Sequence, residues 1–91
     1  MKVGYSEDFD KKIDKLKDNL AKKRLNLLIE KLKKAATLWE IPHVVPIEGV
    51  MGLYRIRTGK YRLIVEYWNG EIVILLIDYR KRNEKTYRGL S

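Results

Sequence analysis

Two turn dipeptides, Gly59-Lys60 and Asn69-Gly70, separate three runs rich in Tyr, Ile, Val and Leu, and they constrain the chain more than any other feature. Asn-Gly is the strongest short hairpin signal, because both central residues of a type I′ turn need positive φ. A leading glycine suits a type II′ turn. Residues 53–58, 61–68 and 71–79 therefore predict three antiparallel strands joined by tight turns. The turns also set the register. With Gly59-Lys60 as a two-residue loop, Thr58 faces Tyr61, Arg57 faces Arg62 and Arg55 faces Ile64. Asn69-Gly70 extends the pattern, pairing Tyr67 with Ile72, Val65 with Ile74 and Leu63 with Leu76. Directly opposed residues share a side of the sheet. Tyr54, Ile56, Tyr61, Leu63, Val65 and Tyr67 then form an almost wholly apolar face that must meet helices. Arg55, Arg57 and Arg62 share the other face with Ile64, Val73, Leu75 and Ile77. A one-residue slip would exchange the faces.

The N-terminal half reads as helical. Residues 2–5 suit a short first strand. Ser6 is placed as a helix N-cap, with Glu7, Asp8 and Asp10 in the positive first turn. Phe9, Ile13, Leu16 and Leu20 follow at helical spacing as one stripe, with a break expected near Asp18 and Asn19. A second helix carries Leu25, Leu28, Ile29, Leu32 and Ala36 on one face and Lys22, Lys23, Lys31, Lys33 and Lys34 on the other. The simplest arrangement of residues 7–38 is two antiparallel helices. Pro42, Pro46, Gly49 and Gly52 make residues 39–52 a loop. The expected core sets Tyr61, Leu63, Val65, Ile72, Ile74 and Leu76 against Phe9, Ile13, Leu16, Leu28 and Leu32. The whole is expected to be one domain, residues 1–91.

Charge bears on the partner. Lys and Arg number 20 against 12 Asp and Glu, a formal charge of +8, which favours a polyanion. The absence of cysteine excludes disulfides and thiolate chemistry. No apolar run approaches the roughly 18–20 residues of a membrane span, and Glu7, Asp8 and Asp10 stand where a signal peptide would be apolar, so the cytoplasm is expected, with no membrane partner. The single histidine, His43, lies in the loop between two prolines and reads as incidental. No carboxylate-histidine pair, metal-ligand cluster, nucleophile triad or phosphate-binding glycine loop appears, so no cofactor or metal is expected. Hydrolytic chemistry would fall to cations, tyrosines and an isolated carboxylate. Arg57 opposite Arg62 is a like-charge pair, costly unless an anion lies between them. The anion is either a bound phosphate or carboxylate, or a side chain: Glu48, Glu66 or Glu71. The arginines can also simply snorkel over an apolar sheet. The basic tail, residues 80–91, adds Arg80, Lys81, Arg82, Lys85, Tyr87 and Arg88, either as a solvated end or folded back over the arginine rim.

The block Leu53-Tyr54-Arg55-Ile56-Arg57-Thr58-Gly59-Lys60-Tyr61-Arg62 resembles the core motif of RelE/ParE-superfamily toxins. The apolar strand 72–77, then Arg80, Lys81, Arg82 and Tyr87-Arg88, looks like that family's C-terminal basic-and-tyrosine segment. The likeness covers nearly the whole chain and implies an α+β fold in β-α-α-β-β-β order, a small, mainly antiparallel sheet with two N-terminal helices on one face. It also implies the toxin of a type II toxin-antitoxin system. RelE-type members of the family cleave mRNA on the ribosome through attack of the RNA 2′-hydroxyl on the adjacent phosphate, and that is the activity the resemblance implies here. By that resemblance Arg55 and Arg57 stand at the paired basic positions of the first long strand. Arg62 is the phosphate-binding arginine, Lys81 an acid/base residue with Arg80 and Arg82 as rivals, and Tyr87 the C-terminal tyrosine. Arg80, Arg82 and Arg88 are the further RNA-binding positions. The implied partners are a RelB-like antitoxin, acidic or amphipathic, together with mRNA and the ribosome. Some RelE toxins carry lysine where this chain has Arg55 and Arg57. Arginine does not act as a base, so Arg57 is better suited to stabilising charge. Two other functions share the pattern: ParE-like inhibition of gyrase, and RNA binding without cleavage.

Overall fold

The structure is a computed structural model, described for residues 1–79. Ser6 opens the helical half. Its hydroxyl accepts from the Phe9 amide at 3.0 Å, capping α1 (Glu7–Lys15) with three acids in the first turn. Asp18 does the same for α2 (Asn19–Lys34), accepting from the Ala21 amide at 3.0 Å. The break expected near Asp18 is therefore a cap, and it corrects the first stripe. Leu20 belongs to α2 and is exposed. α2 ends at Lys34, so Ala36 lies beyond it and is exposed, while Ala35 is buried.

Residues 39–52 are not a plain loop. A 3₁₀ turn spans Leu38–Glu40, its start bound by Glu40, whose carboxylate accepts from the Ala36 and Thr37 amides at 2.8 and 3.0 Å. Its Leu38 is fully buried. A short strand follows, Val44–Pro46. Pro46 is tolerated because this strand lies at a sheet edge, where a missing amide proton breaks no ladder.

Counting from the N-terminus, the strands are β1 (Lys2–Tyr5), β2 (Val44–Pro46), β3 (Leu53–Thr58), β4 (Tyr61–Trp68) and β5 (Glu71–Tyr79). They form one sheet in the order β1-β5-β4-β3-β2. All neighbours are antiparallel except β1 and β5, which run parallel through Val3–Ile72 and Tyr5–Ile74. The turns take the expected forms. Asn69 and Gly70 have φ of 51° and 76°, as type I′ requires, and Gly59 has φ of 59°, as the first position of type II′ requires.

The β3–β4 register agrees with expectation at every pair, including Arg57 opposite Arg62. The β4–β5 register agrees only as far as Val65–Ile74. A bulge then leaves Leu75 without a partner, so Ile64 faces Leu76, Leu63 faces Ile77 and Arg62 faces Asp78. The expectation that Leu63 pairs with Leu76 is therefore wrong. Ile77 is buried in the core and Leu76 is turned out, 37% exposed. An extra residue in one strand reverses the alternation beyond it. Ser6 holds this bulge: its hydroxyl donates to the Leu75 carbonyl, and its amide donates to the Ile74 carbonyl at 3.0 Å.

The core otherwise follows the two stripes. Phe9, Leu25, Leu28, Ile29 and Leu32 pack with Leu38, Ile56, Leu63, Val65, Ile72, Ile74 and Ile77. Ile13, Leu16 and Tyr61 lie at its margin, partly buried. Both helices thus cover one face of the sheet. Because Ser6 caps α1 and also binds the bulge, Ser6→Ala should lower stability by about 1–2 kcal/mol, read from urea midpoints. A loss below a few tenths of a kcal/mol would show that neither bond matters.

Candidate functional site

The face away from the helices carries the arginines. Strand alternation sends Arg55 and Arg57 of β3 to that side, and Arg62 of β4 joins them because it stands directly opposite Arg57. Arg55 sits in a row with Val45 of β2, Ile64 of β4 and Leu76 of β5, and it is half-buried. The next row is polar: Arg57, Arg62 and Asp78. Arg57 is exposed, whereas Arg62 is half-buried.

Asp78 supplies the anion that the like-charge pair needs. The Arg62 Nη2 donates to the Asp78 carboxylate, forming an ion pair with both side chains partly exposed. Glu71, one of the carboxylates expected there, lies instead 3.6 Å from the Lys2 ammonium at the far end of the sheet. Neither Glu48 nor Glu66 forms an ion pair among the described residues. The sequence could not nominate Asp78, because without the bulge it falls on the helix side. The Arg62 guanidinium is fastened at one corner only: its buried Nε has no acceptor among the described residues. A guanidinium bound through one nitrogen retains donors for a second oxyanion, such as a phosphate oxygen.

The fold thus brings together three of the expected site residues: Arg55, Arg57 and Arg62. Lys81 and Tyr87, with Arg80, Arg82 and Arg88, lie outside the described residues. No three His, Asp or Glu gather as a metal site among the described residues. No described helix is long and apolar enough to cross a membrane. The chemistry available on this face is charge stabilisation. Arginine holds its proton, so Arg57 and Arg62 can grip and neutralise an oxyanion but cannot take a proton from one.

This architecture has known counterparts. The structure is similar to a chain of the RelB-RelE antitoxin-toxin complex from Methanococcus jannaschii, with a TM-score of 0.74 and 24% identity over 98% of this chain and 100% of that one. It is also similar to the isolated RelE toxin of E. coli, at a TM-score of 0.66 and 16% identity over 98% and 94% of the two chains. The YoeB dimer from Staphylococcus aureus matches at 0.69 and 18%, over 89% and 98%. No curated protein sequence matches significantly. The family model for the ParE toxin of type II toxin-antitoxin systems, parDE, matches residues 3–84, and with that span and this fold the chain belongs to the ParE toxin family, within the RelE/ParE superfamily.

Proposed function

We propose that this toxin is an endoribonuclease that cuts ribosome-bound mRNA and so inhibits translation. The observation that carries this reading is the gathering of Arg55, Arg57 and Arg62 on the sheet face opposite the helices. In the proposed reaction the RNA 2′-oxygen bonds to the adjacent phosphorus and the bond to the 5′-oxygen breaks. The products are a 2′,3′-cyclic phosphate and a 5′-hydroxyl. Arg62 grips the phosphate, and Arg57 neutralises the charge that builds on its oxygens. Arg55 orients the strand beside them. Lys81, Tyr87 or a ribosomal group takes the 2′-hydroxyl proton, and Lys81 or Tyr87 protonates the leaving oxygen. The RNA brings its own nucleophile, so the protein's task is alignment and electrostatics. End-mapping of mRNA on programmed ribosomes tests this. Discrete new ends support it, and intact mRNA at saturating toxin rejects it.

A second reading, gyrase inhibition, is favoured by the match to the ParE family model. Inhibited DNA supercoiling without mRNA cleavage would establish it over the first.

Asp78 has a defined place in the first reading. It holds one nitrogen of the guanidinium that a phosphate must engage, and its negative charge beside that phosphate offsets part of the attraction. Asp78→Asn should tighten RNA binding severalfold and make the slope of log K against log salt steeper by about 0.7, one phosphate's worth. Its effect on stability should stay below about 1 kcal/mol, because the pair is partly exposed. Weaker RNA binding by Asp78→Asn would mean that losing this hold on the arginine costs more than losing the repulsion gains.

The proposed protein partner is a RelB-like antitoxin presenting an acidic or amphipathic segment, as the M. jannaschii complex pairs a RelE with a RelB. The +8 charge gives that encounter long-range attraction. Co-expression with the neighbouring gene should recover a stable heteromeric complex at low salt. Recovery of the free chain alone would count against it.

A further inference from the structure

A second group of cations gathers where α2 passes the β3–β4 turn. Arg24 and Lys31 are seven residues apart on α2, two helical turns, so both project to the same side. With Leu27, His43, Arg57 and Gly59 they line a cavity of about 400 Å³. None of its lining residues is a carboxylate, and among the described residues Arg24, Lys31 and Arg57 have no ion-pair partner. Arg24 is seated closely. Its guanidinium lies over Gly59, where a Cβ would come within 2.8 Å of Nη1. The glycine that the turn needs for its positive φ thus also leaves room for this arginine. His43, read from sequence as incidental, joins the wall with φ of 65°, a conformation uncommon outside glycine. Its carbonyl receives a long bond from the Arg57 amide, at 3.5 Å.

We propose that this cavity is a phosphate subsite that takes a backbone phosphodiester of RNA. Arg24 and Lys31 at an open cavity that Arg57 also lines, with no carboxylate among the lining residues, repel one another, and an oxyanion between them relieves that repulsion. Arginine offers a planar fork and lysine a mobile point charge, a combination suited to phosphate oxygens. Arg57 selects the polyanion. It stands in the row with Arg62 on the sheet face and is also a lining residue of this cavity, so the two sites adjoin at β3. A strand with regularly spaced phosphates occupies both at once, whereas free phosphate or a lone carboxylate fills only one. The identity of the ligand rests on the RNA reading above, but the residues do not: Arg24, Lys31 and His43 have no part in the proposed cleavage.

The test is fluorescence anisotropy with the full chain and a 2′-O-methyl RNA oligonucleotide, which is bound but not cut, across a salt series. Arg24→Gln combined with Lys31→Gln should weaken binding about tenfold and make the salt slope shallower by about 0.7. Arg24→Lys combined with Lys31→Arg should restore the slope. Urea midpoints for each variant separate a binding defect from a folding one. An unchanged affinity and slope in the glutamine variant, with a loss in Arg62→Ala, would overturn the subsite and leave the RNA reading intact. If the unaltered protein fails to bind the oligonucleotide, the RNA reading itself fails and the ligand assignment goes with it. Inorganic phosphate and polyglutamate are the competing probes. Binding of either that depends on Arg24 and Lys31, while RNA binding does not, also overturns the proposal.

Discussion

Replacing Arg62 with alanine should lower the single-turnover rate of mRNA cleavage on programmed ribosomes by about 10²–10³. The expected size comes from the setting. Arg62 is half-buried, and its guanidinium is held by one bond to Asp78. A donor fixed in advance stabilises developing charge without reorganising, which is worth most when water is excluded. The loss should fall on the rate more than on ribosome binding, to which many other cations contribute. Arg62→Lys should recover only part of it, since an ammonium cannot reproduce a planar fork. The released Asp78 is partly exposed, so the variant should remain folded, with a urea midpoint close to that of the parent. An unchanged cleavage rate in Arg62→Ala would remove this arginine from the chemistry.

The second large effect is structural and tests the bulge. Leu63 is fully buried in the core shared by the sheet and the helices, so Leu63→Ala should cost about 2–5 kcal/mol in unfolding free energy. Ile77→Ala should fall in the same range of about 2–5 kcal/mol, because the bulge turns Ile77 into the core. Leu76→Ala, one residue earlier, should cost about 1 kcal/mol or less, because that side chain is turned out of the core. Without the bulge the costs at residues 76 and 77 would exchange, so chemical denaturation of the two variants reports the register in solution.

Turn chemistry is local, so Gly59-Lys60 and Asn69-Gly70 yield β3, β4 and their pairing from the residues alone, with Arg55, Arg57 and Arg62 on one face. Ser6 is as easily read as a cap, because a small hydroxyl before three acids and an apolar stripe has one economical interpretation. The bulge is different. Ile74-Leu75-Leu76-Ile77 is apolar throughout, so no alternation exists to reveal a reversal of phase, and no glycine marks it. The group that meets it lies far along the chain: the Ser6 hydroxyl donates to the Leu75 carbonyl. Asp78 is hidden for the same reason: its face depends on the bulge, where Ser6 meets Leu75, 69 residues apart in the chain. The second basic site escaped similarly. Arg24 and Lys31 are two of many cations on α2, and His43 sits among prolines; only packing against the β3–β4 turn brings them to one cavity. The short strand Val44–Pro46 is masked by its own Pro46 and by Pro42 just before it; an edge position accommodates Pro46.

If the arginine face promotes attack by the RNA's own 2′-hydroxyl, removing that hydroxyl from the substrate must abolish cleavage. Programmed ribosomes carrying mRNA with a single 2′-deoxynucleotide at the mapped cut site should bind the toxin normally and remain uncut there. The matched all-ribose mRNA should yield a 2′,3′-cyclic phosphate and a 5′-hydroxyl at that position. Cleavage that survives the 2′-deoxy substitution would contradict the mechanism. An all-ribose mRNA left intact, with DNA supercoiling inhibited by the same protein, would contradict the function.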